Sequence, residues 1–248
     1  MRSEEIRVDI VFDNECRDHT LSSLWGFSCL LQTPQQTTLF DTGSNGRVLL
    51  KNLQAKGLSV EKIDTLFLSH AHWDHIGGLD SILEINPNLD IFLTSHISKN
   101  LIRDLKTLSK SVHVIKEEAT ELLPDIHSTG AMGEASEQSI IIDTQEGLII
   151  IAGCAHSGIA RIVQRAKSLF DKEILLLLGG FHLFNKTESE LHQIITDIQK
   201  AGTRYVAPSH CTGADAKALF AQKFGDYYID GGAGVSLTFH QQEVVMLP

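Results

Sequence analysis

Three of the chain's 12 histidines fall in one short run, Ser69-His70-Ala71-His72-Trp73-Asp74-His75. Histidines two apart on a loop can turn both imidazoles onto one ion. A carboxylate followed by a third imidazole, offset by a further turn of loop, points to a neighbouring ion. The HxHxDH spacing is therefore a two-metal spacing. Further histidines stand just past three other apolar runs: His156 after Ile149-Ile150-Ile151, His182 after Leu176-Leu177-Leu178, and His210 after Tyr205-Val206. A lone histidine in such a place is ordinarily a rim residue bonded to backbone. Four coincidences argue instead for convergence, because the carboxyl ends of strands in α/β folds gather along one edge, where ligands bind. Imidazole with carboxylate suits Zn²⁺, Mn²⁺ or Fe²⁺, and the dominance of histidine favours zinc, one ion or two.

Those loops need strands to end in them and helices to leave from them. Residues 6–12, 26–31 and 37–40 read as short strands, the last running into Asp41-Thr42-Gly43. A helix at 48–57 and an apolar strand at 65–68 follow, the strand ending at the histidine cluster. A strand at 91–93 and helical spacing over 97–108 precede a polar, glycine-bearing stretch, 117–137, that reads as an irregular insertion or lid. The second half alternates: strand 148–152, helix 159–170, strand 174–178, helix 188–201, strand 205–208, helix 214–224, then a hairpin from 235–239 and 244–247. Such alternation implies an α/β layer sandwich. Thr187-Glu188-Ser189-Glu190 fits a capping box. No linker-like composition interrupts residues 1–248, so one domain with a shared core is expected.

Composition narrows the partners. The 248 residues carry 21 Lys+Arg against 31 Asp+Glu, a formal charge of -10, with no basic stripe for a phosphate backbone, so nucleic acid is not the expected partner. The first eight residues place acids where a secretory signal needs an apolar stretch, and no run is long enough to span a membrane. A cytoplasmic location without membrane attachment is expected. The four cysteines, Cys16, Cys29, Cys154 and Cys211, show neither CxxC pairing nor dense spacing and read as reduced thiols.

The stretch from Leu68 through His70-Ala71-His72-Trp73-Asp74-His75 to Gly77-Gly78-Leu79 resembles the signature of the metallo-β-lactamase fold superfamily. Asp41-Thr42-Gly43 resembles its first motif and Pro208-Ser209-His210 its last. The resemblance implies a four-layer αβ/βα sandwich, two mixed sheets flanked by helices, and a metal-dependent hydrolase or transferase. Gly153-Cys154-Ala155-His156-Ser157-Gly158, Gly179-Gly180-Phe181-His182 and Ser209-His210-Cys211, with Asp13-Asn14, are similar to one branch. That branch is named for dihydropterin ribofuranosylaminobenzene phosphate synthase of methanopterin biosynthesis.

Two departures matter. The superfamily's third first-site histidine is absent from residues 133–139, and Cys154 stands where a bridging aspartate is usual. The resemblance then implies that His70 and His72 hold a first ion, with His156 the candidate for its missing ligand, and that Asp74, His75 and His210 hold a second. Cys154 is either a thiolate ligand or a buried thiol beside the ligands. Asp41 would orient a ligand imidazole from behind. Asp74 would also move a proton, and His182 would donate to a phosphate or developing oxyanion or serve as a further ligand. Asn14 and Ser157 are candidate substrate contacts. Glu134 and Glu137, where the usual histidine is missing, read first as solvent-facing loop carboxylates. Helices starting near Ser157-Gly158 and Thr212-Gly213 favour an anionic or phosphorylated small-molecule substrate. Two rivals remain in view. Asp41-Thr42-Gly43-Ser44 also looks like an aspartic-protease loop, but one such loop cannot supply a dyad. A catalytically inactive metal-binding sensor or partner-binding protein is motivated by the missing bridging carboxylate.

Overall fold

Apolar runs without polar alternation need cover on both faces, which a parallel core packed between helices and a second sheet supplies. The computed structural model, which describes residues 1–3, 6–240 and 243–247, builds the second half of the chain that way. The first half contains β1 (Arg7–Phe12), β2 (Ser28–Gln32), β3 (Thr37–Phe40), α1 (Gly46–Ala55), β4 (Thr65–Phe67), α2 (Trp73–Ile76), α3 (Leu79–Ile85), β5 (Asp90–Thr94), α4 (Lys99–Leu108) and β6 (Ser111–Ile115). The second contains β7 (Thr120–Leu123), β8 (Ile126–Ser128), β9 (Ile140–Thr144), β10 (Gly147–Ala152), α5 (Ile159–Leu169), β11 (Ile174–Gly180), α6 (Glu188–Lys200), β12 (Thr203–Ser209) and α7 (Ala214–Phe224). The final hairpin, β13 (Ser236–His240) with β14 (Glu243–Leu247), returns to the first half.

Eight strands form one sheet in the order β14-β13-β1-β2-β3-β4-β5-β6, parallel from β3 to β6 and antiparallel elsewhere. Six form the other, β12-β11-β10-β9-β8-β7, parallel across β10, β11 and β12. Strand alternation sorts side chains into layers. Cys29, Leu31, Phe40 and Phe67 of the first sheet meet Ile140, Ile142, Ile149 and Leu178 of the second in the central core. On the outer faces, Leu30, Leu39, Leu66 and Ile91 pack under α1, α3 and α4, while Ile141, Ile150 and Leu177 pack under α5, α6 and α7. The layers are therefore helix, sheet, sheet, helix. Gln138 stitches the sheets together near the histidines: its backbone N–H donates to the Ser69 carbonyl at 2.9 Å and its side-chain amide to that of Leu68 at 2.9 Å.

One expectation is overturned. Residues 117–137 are not an irregular lid, since β7 and β8 lie within them and extend the second sheet at its edge. These strands span only three or four residues and are partly exposed, so their apolar pattern is too brief to register in sequence. The histidine loop likewise contains a single helical turn, α2, where only loop was expected. No described helix is long and apolar enough to cross a membrane.

The capping box is present: the Thr187 hydroxyl accepts the Glu190 N–H at 3.3 Å and the Glu190 carboxylate accepts the Thr187 N–H at 2.8 Å. Thr187→Ala should cost about 1 kcal/mol. That corresponds to a melting midpoint lower by about 2–4 °C, measurable by circular dichroism. An unchanged midpoint would show that α6 does not depend on this cap.

Candidate metal centre

Two strand ends from the first sheet begin the site. β3 stops at Phe40 and delivers Asp41, fully buried; β4, its parallel neighbour, stops at Phe67 and delivers Ser69 and His70. The Asp41 carboxylate accepts the Ser69 backbone N–H at 2.7 Å, the Ser69 hydroxyl at 2.6 Å and His75 Nδ1 at 2.6 Å. Because the Ser69 hydroxyl donates to Asp41, its oxygen accepts His70 Nδ1–H at 2.9 Å. Asp41 thus fixes His75 directly and His70 through one hydroxyl. Burial pushes its own carboxyl up to about 7, against the pull of His70 and Ser69.

The second sheet supplies the other half. β10 leads to Cys154 and His156, β11 to His182, and β12 to His210 and Cys211. Asp41, Ala155, His182 and His210 hold φ of 54°, 57°, 51° and 48°, a left-handed backbone that costs a non-glycine residue about 1–3 kcal/mol. Strain gathered at one edge of two sheets persists because dense hydrogen bonding fixes the turns. Glu137 shows how. Its Oε1 accepts the backbone N–H of Cys154 at 2.7 Å and of Ala155 at 2.8 Å; its Oε2 accepts the N–H of His156 at 2.7 Å and its Nδ1 at 2.9 Å. The reading of Glu137 as a solvent-facing carboxylate is therefore wrong: it is 2% exposed and holds the His156 turn from behind. Burial opposes its charge, but His156, His70 and the backbone donors keep its carboxyl well below the usual range. Glu134 does face solvent.

His210 is fixed by Asn14. Asn14 Oδ1 faces His210 Nδ1 at 3.0 Å and accepts the Gly26 N–H at 2.9 Å, while its Nδ2 donates to the His210 carbonyl at 3.0 Å. Asn14, expected against substrate, divides its amide between the His210 loop and the Gly26 backbone. The Ser157 hydroxyl is buried without a partner and its Cβ lies beside Gly133.

His70, His75, His156 and His210 thus each have Nδ1 tied to the protein, leaving Nε2 toward a common space. Fixing one ring nitrogen so that the other can bind an ion is the usual arrangement behind metal-bound imidazole. The Nε2 of His70 and the Nδ1 of His182 are buried with no hydrogen-bond partner, and the Nε2 of His210 faces only Asp74 Oδ2 at 3.4 Å, a deficit that a ligated ion would remove. Donor atoms of His70, His72 and His156 lie within 4.8 Å of one another, as do those of Asp74, His75 and His210. Both expected triplets are brought together, and these residues fit a pair of cations. Burial, with neighbouring imidazoles, lowers His70 and His75 to about 3, so both are neutral and able to ligate. Asp74 is pushed up by burial, but His210 and His75 outweigh this and hold it well below the usual carboxylate range.

Two contributors were not foreseen. Trp25 Nε1 donates to Asp74 Oδ2 at 2.9 Å. Cys211 places its Sγ 3.4 Å from that of Cys154, which lies 3.2 Å from His75 Nε2. Burial opposes ionisation of Cys211, but Cys154, His182 and His210 together pull its thiol well below the ordinary value. Nothing in the spacing of either residue marks it; a tryptophan in a loop and a cysteine beside a histidine are common. A cleft of about 410 Å³ opens onto the cluster, including half-buried His182, and Trp25, Trp73 and Phe184 stand exposed on its rim.

A helix–sheet–sheet–helix stack whose strand ends present HxHxDH beside a buried aspartate defines a class, and the chain belongs to the metallo-beta-lactamase superfamily. Residues 26–92 match the model of that superfamily. The chain is 32% identical over 227 residues to an uncharacterized protein of Methanocaldococcus jannaschii, covering 79% of this chain and 87% of the relative. It is 26% identical over 247 residues to the 7,8-dihydropterin-6-methyl-4-(beta-D-ribofuranosyl)-aminobenzene-5'-phosphate synthase of the same organism, covering 81% and 84%. The solved structure of a metal-dependent hydrolase of the beta-lactamase superfamily superposes with a TM-score of 0.82 at 25% identity, covering 95% of this chain and all of that one.

Glu137→Ala removes the acceptor for three buried N–H groups and for His156. Loss of about 3 kcal/mol or more in denaturant unfolding is expected, together with a roughly 10- to 100-fold weaker zinc affinity in a chelator competition. Unaltered zinc affinity would show that the His156 ring is placed by something else.

Proposed function

We propose that the chain is a metal-dependent enzyme that cleaves or transfers a group on an anionic, phosphorylated small molecule. The observation that carries this reading is the set of four imidazoles with one nitrogen fixed by Asp41, Ser69, Glu137 or Asn14 and the other facing a shared space beneath an open cleft. His70, His72 and His156 would hold one ion and Asp74, His75 and His210 a second, with zinc favoured by the histidine-rich donors. When bound, such ions acidify water toward neutrality and polarise an electrophile.

The chain's own groups do the rest. Asp74 stays ionised at neutral pH and is a weak base, so a proton reaching it is passed on rather than kept. Trp25 fixes one of its carboxylate oxygens. His182, half-buried beside His156 at 4.6 Å between ring centroids, would donate to a phosphoryl or carbonyl oxygen as charge develops. Phosphate is supported by α5 and α7, which start three and four residues beyond His156 and His210. Both have glycine N-caps with no side-chain acceptor, leaving free N–H groups.

A planar ring in the substrate is favoured by one observation. Trp25, Trp73 and Phe184 on the rim offer flat apolar faces to a planar ring, which agrees with the pterin named in the synthase relative.

Purified protein stripped with chelator and reloaded with Zn²⁺ or Mn²⁺ should turn over at least one of a phosphodiester, a lactone or a thioester. His72→Ala should lower that rate by roughly 100-fold or more. Full metal content with no turnover on any of them would favour the non-catalytic sensor.

A further inference from the structure

Two buried thiols are left over from the assignment of ligands. Cys29 shows what an inert thiol looks like in this chain: fully buried among Phe27, Phe40 and the central apolar core. Cys154 and Cys211, each 3% exposed, belong to none of the three apolar clusters and have polar donors as neighbours. Cys154 Sγ lies within 4.8 Å of donor atoms in three separate sets: with His70 and His75, with His156 and His182, and with His210 and Cys211. It therefore sits between the two ligand triplets rather than behind either. Room for Cys211 is also built in. A Cβ on Gly180 would come within 2.9 Å of Cys211 Sγ and 2.3 Å of the Gly153 carbonyl, so only glycine at 180 lets that sulfur approach.

We infer that Cys154 and Cys211 are metal ligands, Cys154 at the shared position between the two ions and Cys211 completing the second set. This rests on the reading of the cluster as a metal centre. Each thiol releases its proton to solvent on binding, so the two thiolates supply two negative charges where a bridging carboxylate would give one. Sulfur is the softer donor, so the centre takes Zn²⁺, Fe²⁺ or Co²⁺ in preference to Mg²⁺ or Mn²⁺. The substrate is then met by a less acidic, thiolate-bearing pair of ions.

Cobalt is a probe of this assignment. The full chain, reduced, stripped with chelator and titrated with Co²⁺, should develop a near-ultraviolet thiolate-to-cobalt charge-transfer band, with bound cobalt counted by elemental analysis. Cys154→Ser, which removes two sulfur–cobalt bonds, should lower the band per bound cobalt by roughly two-thirds, Cys211→Ser, which removes one, by roughly one-third, and the double variant should abolish it, while Cys29→Ser leaves it unchanged. Circular dichroism of each variant checks folding, and the wild-type spectrum tests the assignment without any variant. Cobalt bound in full with no charge-transfer band overturns the thiolate assignment and leaves the imidazole centre standing. A wild-type chain that retains neither cobalt nor zinc overturns both.

Discussion

A carboxylate at the bottom of a protein is costly unless it is surrounded by donors, and Asp41 is surrounded by three, all on the loop that follows the neighbouring strand. The parallel register of β3 and β4 puts Asp41 beside that loop, so the pairing of two short strands decides where His70 and His75 point. Glu137 repeats the device in the other sheet, gathering three consecutive N–H groups and His156. Each sheet thus carries one buried carboxylate that converts a strand end into a fixed ligand loop. The two acids also feel each other, Glu137 adding to the upward push on Asp41. Cations between them would relieve that repulsion.

Around these anchors the fold is conventional. Strand alternation separates the central core from the outer faces, and the helices serve mainly to cover sheet. Irregularity gathers at the edge where both sheets end: four of the six left-handed non-glycine residues among those described occur there, with the unpaired imidazole nitrogens and the glycines at 153 and 180 forced by close approach. Concentrated strain beside unsatisfied polar atoms is what a site held ready for a charged ligand requires.

The sequence made most of this visible where spacing itself carries the physics. HxHxDH is readable because loop geometry alone brings those side chains together, and His156, His182 and His210 are readable because each follows an apolar run long enough to be a strand. Glu137 was misjudged because its partners are backbone N–H groups seventeen to nineteen residues away, which no local pattern encodes. Asn14 reaches His210 across 196 positions and Cys211 reaches Cys154 across 57. The hairpin of β7 and β8 was missed because edge strands of three or four residues, half in water, leave little apolar signature.

The ligand loops come from both sheets: His70, His72, Asp74 and His75 from the first, His156, His182 and His210 from the second. A cation gripped by both sets would act as a rivet through the middle of the sandwich. On the proposed reading, cohesion between the two halves follows the supply of free cation by ordinary mass action, so the rim of the cleft tightens and loosens with the metal economy of the cell.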